Sequence, residues 1–469
     1  MHPIIAKKSN KIFAMKTLLT LTFLLLSISS AFTQESVLDS YIQTALDSNL
    51  ALQQKEYSYQ KSLEALKEAK RMFLPTVSLD AKYSVADGGR TVDIPFGDML
   101  NPVYANLNQI NQVTNPSAPV YPQIENPELN FVRSPEQETK LVAGMPVFNA
   151  SIIQNHKIKK GLSDVESISL DIYKRELVKE VKEAYVNYLQ AEQLYVLYSN
   201  TLKTVNQSLK NRQILYENDK ITIDEVYAAK AQVKQIERDL SDANKNKVMA
   251  SSWFNFLLNK DFDSKIDTEN LNTSIISNSN LDELKNSAIS NREELFQLDK
   301  YLEIQNNTVK LQRAEALPVV SVFGQYGIQG TDYSFNSESA MAVAGVSLKW
   351  NLFTSGQRKS KINLANIDLK ITENKKNEAE RQIQLEVIDA YYSIQTAKQG
   401  IELAQEELQN FQQSHNLIEK KYQLGMANYL EYSNSLNNKL NAENKLILAG
   451  YSYQLEQIKL ERLTSSYTF

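Results

Sequence analysis

The sequence predicts an α+β chain, a two-fold internal repeat of long coiled helices and four β-strands. Three observations carry this. A seven-residue apolar repeat runs through Leu177, Val181, Ala184, Tyr188, Ala191, Tyr195, Tyr198, Leu202, Val205 and Leu209. The same run returns 206 positions later as Ile383, Val387, Ala390, Ile394, Ala397, Ile401, Ala404, Leu408 and Phe411. After each of two Leu-Pro pairs, Leu74-Pro75 and Leu317-Pro318, the apolar period drops from helical to two.

Steps of four and three along a helix make a stripe that winds left-handed with neighbouring helices. Identities around the two stripes agree: Glu180-Val181 and Ala184-Tyr185 return as Glu386-Val387 and Ala390-Tyr391, and Tyr216 returns as Tyr422. One long-helix unit is therefore encoded twice. The first repeat covers residues 34–270 and the second 271–463, with a short tail at 464–469.

Each repeat opens with a helix. Leu38 to Met72 carries apolar residues on one stripe, and Leu281 to Ala316 copies it 243 positions on, with Ala45 matching Ala288 and Leu52 matching Leu295. Proline ends both, because it cannot continue a helix and pushes the preceding residue to extended geometry. Strand 76–85 then alternates: Val77, Leu79, Ala81, Tyr83 and Val85 on one face, Ser78, Asp80, Lys82 and Ser84 on the other. Strand 319–328 repeats the pattern with Val320, Val322, Gly324, Tyr326 and Ile328 against Ser321 and Gln325. Residues 86–139 are rich in Pro, Asn, Gln and Gly, and are expected as a long irregular loop; the counterpart after strand 319–328 is short. Second strands follow at 140–149 and 341–352, the latter with Ala342, Ala344, Val346, Leu348, Trp350 and Leu352 opposite Ser347, Lys349 and Asn351. Pro146 is expected near a rim, since proline lacks the donor a ladder needs. Very long helices begin near Ser151 and Ser360; at ~1.5 Å per residue the first spans roughly 95–100 Å. Turns at 217–222 and 423–428 break them, and helix resumes from Ile223 and Tyr429. Asp261 to Asn280 joins the halves.

Composition limits the function. The chain has no cysteine, which excludes disulfides, thiolate metal sites and a Cys nucleophile. His2, His156 and His415 are far apart and form no ligand spacing. No nucleophile–base arrangement, zinc motif or Gly-rich phosphate loop is present, so no enzyme, cofactor or metal is expected. Lys7, Lys8, Lys11 and Lys16 precede the apolar run Leu18 to Ile28, and Ala31-Phe32-Thr33 offers a cleavage site, so residues 1–33 read as an export signal. Without them the net charge moves from −4 to −8, unsuited to nucleic acid. Mean hydropathy is −0.40, and nothing after the signal approaches the ~20 apolar residues of a membrane-spanning helix.

A strand of ~10 residues with one apolar and one ionised face suits the wall of a membrane barrel. A half-buried strand of a soluble sheet alternates in the same way. Four strands cannot close a barrel alone, and lipid does not tolerate open edges. Helices near 100 Å with apolar stripes also lack internal partners along much of their length. Both facts point to an α+β membrane protein whose copies form a ring around a shared axis.

The mature chain resembles the TolC family of bacterial outer-membrane efflux and secretion channels. The resemblance rests on the duplication, the Leu-Pro entries to the strands, the exits Pro146-Val147-Phe148 and Asn351-Leu352-Phe353, Thr354-Ser355-Gly356-Gln357, and Tyr422-Gln423-Leu424-Gly425. It implies a homotrimer with a 12-stranded transmembrane β-barrel continuous with a periplasmic α-helical tunnel. It implies passive export of substrates delivered by an inner-membrane pump and a periplasmic adaptor protein. It also implies acids at a closed tunnel entrance, where Glu431 and Asn434 stand in the second half and Asp224 and Glu225 in the first. A solvated helix face is the plainer reading of each. Lys220, Ile221, Thr222, Gly425, Met426, Asn428 and Tyr429 are expected as adaptor contacts at the tips, against ordinary turn chemistry. Phe148 and Trp350 are expected in an interfacial aromatic girdle, against a role in the core. An exported coiled-coil structural or adhesive protein would explain the heptads and the signal, but not four symmetrically placed strands.

Overall fold

The computed structural model describes residues 36–269 and 280–467; the expected signal and the terminal Phe469 lie outside them. Nine helices and six strands follow in order among the described residues: α1 Val37–Ser48, α2 Leu50–Arg71, β1 Thr76–Ser84, β2 Thr91–Asp93, α3 Phe96–Thr114, β3 Glu128–Asn130, β4 Glu136–Phe148, α4 Ala150–Glu217, α5 Ile223–Leu257, α6 Leu281–Asn291, α7 Glu293–Ala314, β5 Val319–Gly330, β6 Ala340–Lys349, α8 Gln357–Gln423 and α9 Tyr429–Leu463. They divide into a helical unit (Met1–Ser62, Leu162–Leu302, Lys370–Phe469) and a sheet unit (Leu63–Gly161, Glu303–Leu369).

In the helical unit the duplication is visible in the packing. One core gathers Ala45, Leu52, Leu177, Val181, Ala184, Phe254 and Leu257. A second gathers Ala288, Leu295, Ile383, Val387, Ala390, Leu460 and Leu463. Each residue of the second list is the copy of one in the first. The seven-residue stripe supplies three residues to each list, and burying each large aliphatic side chain contributes about 1.5–3 kcal/mol.

The opening helix of each repeat is broken once, where the sequence suggested one continuous helix. In the first half the break is Asn49, whose ψ of 122° is extended. Its side chain supplies what the break exposes. Asn49 Oδ1 accepts from the N–H groups of Ala51 and Leu52 at 3.0 Å, and Nδ2 donates to Leu257 O at 2.9 Å. In the second half the break is Arg292, which pairs with Glu294 at 2.9 Å and Glu386 at 3.4 Å. Arg462 also joins that group, 2.7 Å from Glu294 and 3.2 Å from Glu176. Burial raises the Glu294 pKa, but a hydrogen bond from Arg292 and the charges of Arg462 and Arg292 outweigh it, so the carboxyl stays below its ordinary range.

In the sheet unit four antiparallel strands run in the order β1-β4-β5-β6. Leu79 pairs with Leu141, Leu141 with Tyr326, and Tyr326 with Ala342, so the apolar sides of all four strands share one face. Val77, Leu79, Tyr83, Leu141, Tyr326, Val346 and Leu348 all lie exposed on it. The other face carries Asp80 opposite Lys140 and Lys82 opposite Glu138. It is not wholly polar: register puts Phe323 there, lying over Gly345, where an added Cβ would come within 2.9 Å of the ring. Pro146 sits in the inner strand β4, two residues from its end, where the pairing shifts between Pro146 and Phe148. A bulge there removes the need for its missing donor.

Residues 86–139 are not an irregular loop as the sequence suggested. They hold α3 and the short antiparallel pair β2-β3 that flanks it in sequence. Pro102 lies in the second turn of α3, and the many Asn and Gln residues between its apolar positions hide the helical spacing.

Separate, equivalent cores make a direct prediction. Leu177→Ala and Ile383→Ala should each lower unfolding stability by about 2–5 kcal/mol. The double variant should lose the sum to within about 0.5 kcal/mol, read by denaturant unfolding of the purified protein.

Candidate functional site at the helix tips

Both tips are the same turn built from different residues. After α4, Asp219 takes the left-handed conformation at φ 53°; Lys220 N–H donates to Leu215 O at 2.9 Å and Asp219 N–H to Tyr216 O at 2.9 Å. After α8, Gly425 takes it at φ 74°; Met426 N–H donates to Lys421 O at 2.8 Å and Gly425 N–H to Tyr422 O at 3.0 Å. These paired bonds satisfy the last carbonyls of each helix. Glycine adopts that backbone without the steric cost that Asp219 bears. The next helices start at Thr222 and Asn428, both extended. Asn428 Oδ1 accepts from Glu431 N–H at 2.9 Å. Its Nδ2 donates to Glu431 Oε1 at 3.4 Å.

Four helices close behind the turns. Val205 of α4, Ala229, Val233 and Ile236 of α5, and Tyr429, Tyr432, Leu436 and Leu440 of α9 form one core, with Ile418 and Tyr422 of α8 against it. Buried Arg212 lies in its wall. The guanidinium carbon stands 3.9 Å from the ring centre of Tyr429, 4.9 Å from Tyr422 and 5.7 Å from Tyr432. Nη1 donates to Ser208 O at 3.2 Å and to Ser208 Oγ at 3.1 Å, while Nε and Nη2 have no acceptor. The ring faces take the acceptors' place, as the electron-rich face of an aromatic attracts a cation. Burial raises the pKa of all three tyrosines, so they stay neutral. Tyr429 OH donates to Gln232 Oε1 at 2.8 Å. Ser435 Oγ donates to Tyr432 O at 2.8 Å, leaving His415 to donate from Nδ1 to Ser435 Oγ at 2.9 Å.

The expected site residues fall on two levels. Glu431 and Asp224 are exposed on the first turns of α9 and α5, and Asn434 is exposed on the second turn of α9. Glu225 is half-buried, and its charge acts on Tyr422 and Tyr429. Lys220, Thr222, Gly425, Met426 and Asn428 are exposed and Ile221 is half-buried. Tyr429 differs: it is only 4% exposed and packs inside against Arg212, so it holds the tip together from behind. Leu424 and Leu430, not singled out in the sequence, are exposed beside the turn. Arg212 was not legible either, since an arginine in a heptad helix reads as surface. Three tyrosines flanking one turn were the available signal. Phe148 and Trp350 are exposed at the strand ends that lead into helices, and Trp350 Nε1 donates to Ala316 O at 3.0 Å. Among the described residues no cluster of His, Cys, Asp or Glu could hold a metal.

The sheet is apolar on one exposed face and carries charged residues on the other, and the long helices end in closed tips. Residues 284–466 match the family of outer membrane efflux proteins. No curated protein matches the chain. Among solved structures, a membrane protein from Pseudomonas aeruginosa superposes with a TM-score of 0.73 at 16% identity, over 92% of this chain and 93% of that one. The Campylobacter jejuni CmeC outer membrane channel gives 0.73 at 15% identity, over 92% and 85%. The outer membrane protein VceC from Vibrio cholerae gives 0.69 at 15% identity, over 91% and 95%. These likenesses show that the chain has the fold of these outer-membrane channels, and the family match over residues 284–466 agrees with the resemblance read from the sequence.

The cage has two measurable consequences. Arg212→Gln should lower the thermal stability of the protein by about 2 kcal/mol, and Arg212→Lys by roughly half that, because the ammonium keeps the charge but not the planar stacking. Burial lowers the His415 pKa from its ordinary 6.5, outweighing Glu419 and Glu443, which raise it. Below 6.5 the unfolded chain therefore takes up a proton that the folded chain resists. Stability present above pH 6.5 should fall as pH drops through that value, and His415→Gln should flatten this part of a Tm-against-pH curve.

Proposed function

We propose that three copies of this chain close into one pipe, the exit duct of a tripartite efflux system. The observation that carries the reading is the four-stranded sheet with β1 and β6 as open edges and an exposed apolar face. In hydrocarbon each unpaired backbone group costs several kcal/mol, so the edges must find partners. Joining β1 of one copy to β6 of the next, three times over, closes twelve strands. The ionised face then lines the lumen and the apolar face meets lipid. The heptad helices continue the wall as a tunnel, and cargo passes down its gradient once a pump and adaptor deliver it. Phe148 and Trp350 anchor the wall at the membrane boundary.

At the far end, exposed Glu431 and Asn434 of α9 and Asp224 of α5 line the narrow entrance, where three copies of Glu431 attract cations. Lys220, Thr222, Met426 and Asn428 meet the adaptor, with Leu424 adding apolar surface; Tyr429 supports them from inside.

The protein extracted in detergent should elute as three chains and conduct in planar bilayers. Glu431→Ala should weaken cation preference at least about two-fold through loss of the ring charge. An unchanged preference would reject that role, and a water-soluble monomer would reject the pipe itself.

A further inference from the structure

The excursion between β1 and β4 is a built structure. Asn126 Oδ1 accepts from Gly97 N–H at 2.8 Å and Asp98 N–H at 3.3 Å, closing the first turn of α3. Asn101 and Asn108, two turns apart, each hold one residue of the returning chain by two bonds. Asn101 Nδ2 donates to Ile124 O at 2.9 Å while Oδ1 accepts from Ile124 N–H at 2.8 Å. Asn108 does the same with Tyr121 at 2.9 and 2.8 Å. Tyr104 stacks on Tyr121 with ring centres 5.2 Å apart. The returning chain thus covers the side of α3 that holds Gly97, Asn101, Tyr104 and Asn108.

The opposite side is bare and apolar. At ~100° per residue, Phe96, Met99, Val103, Asn106, Ile110 and Val113 fall on one arc roughly 100° wide, turned away from the covered asparagines. Met99 is 67% exposed, Ile110 57% and Val113 83%. Their steps are three and four, so this is a seven-residue stripe like those of α4 and α8, with Phe, Val and Ile at one position and Met, Asn and Val at the other. A stripe of that period fits a parallel helix alongside, and one asparagine in it sets register. The alternative occupant, a lipid headgroup layer, recruits amphipathic helices through Lys and Arg on the polar face. α3 has neither, and its single charged residue is Asp98.

We propose that α3 packs against the α3 helices of two further copies of this chain, forming a three-helix lid over the outer mouth. This rests on the trimeric reading above. α3 leaves the sheet from the Ser84 and Glu136 ends of β1 and β4, opposite the ends that meet the helices. A three-fold axis brings three such helices to one opening, equally inclined to it and all running in the same sense along it.

The absence of cysteine makes the test clean. Ile110→Cys, on the bare arc, and Ala105→Cys, off it, are introduced singly into the full chain. The assembly is treated with a short bismaleimide. A band at twice the chain mass is expected for Ile110→Cys and not for Ala105→Cys. Val103→Glu with Ile110→Glu should abolish the lid and raise basal conductance severalfold. If Ile110→Cys stays uncrosslinked in a protein that still elutes as three chains, the lid is wrong and the pipe stands. Uncrosslinked Ile110→Cys whose fluorescent label shifts blue only in vesicles places α3 in lipid and likewise overturns the lid. A monomer overturns the assembly on which the lid depends.

Discussion

A peptide group at a sheet edge needs a hydrogen-bond partner, and in hydrocarbon there is no water to supply one. β4 and β5 are paired on both sides; β1 and β6 are paired on one. The apolar face that suits these strands to lipid would be a liability on a soluble protein, because a contiguous exposed patch of this kind invites association. A single chain thus leaves one side of β1 and one side of β6 without a strand partner, the two edges that the proposed assembly joins. Cross-strand pairing of Asp80 with Lys140 and Lys82 with Glu138 balances charge on the polar face without burying it.

The helical unit solves a different problem twice over. Its two equivalent cores use residues at the same places in each repeat, yet the points where the backbone departs from helix are handled by different chemistry. Asn49 satisfies its break with an amide that reaches three backbone groups. Arg292 does so within a network of carboxylates and arginines. Asp219 and Gly425 hold the same left-handed turn at different steric cost. Packing positions have drifted little between the halves, whereas the capping chemistry has been rebuilt.

What could be read from the sequence was what repeats. The heptad stripes, the Leu-Pro exits and the alternation of strands depend on apolar spacing, which survives as pattern. The breaks at Asn49 and Arg292 were invisible because a one-residue interruption barely moves an apolar stripe. α3 was missed because Pro102 and a run of Asn and Gln resemble loop composition, although Phe96, Val103 and Ile110 hold the period. Phe323 was missed on the polar face because neighbouring Ser321 and Gln325 set the expectation there. At the tips the turns were legible from Gly425 and Asn428. The cage behind them was not, since it joins Arg212 to tyrosines more than two hundred residues away. Tyr429 was assigned outward for the same reason: sequence marks a turn, but not which of its side chains folds back.

Each of the four longest helices ends in the same paired backbone bonds, with Asp219, Asn259, Gly425 and Ser465 in the left-handed conformation. The paired bonds already occupy two peptide oxygens in the last turn at each of these ends. A surface pressed onto Leu424 and Met426 would displace water from hydrocarbon and thioether alone, with little dehydration penalty from the main chain. The main chain of such fingertips is largely bonded before anything touches them, so grip and release there would be governed by side-chain shape more than by stripping solvent from the backbone.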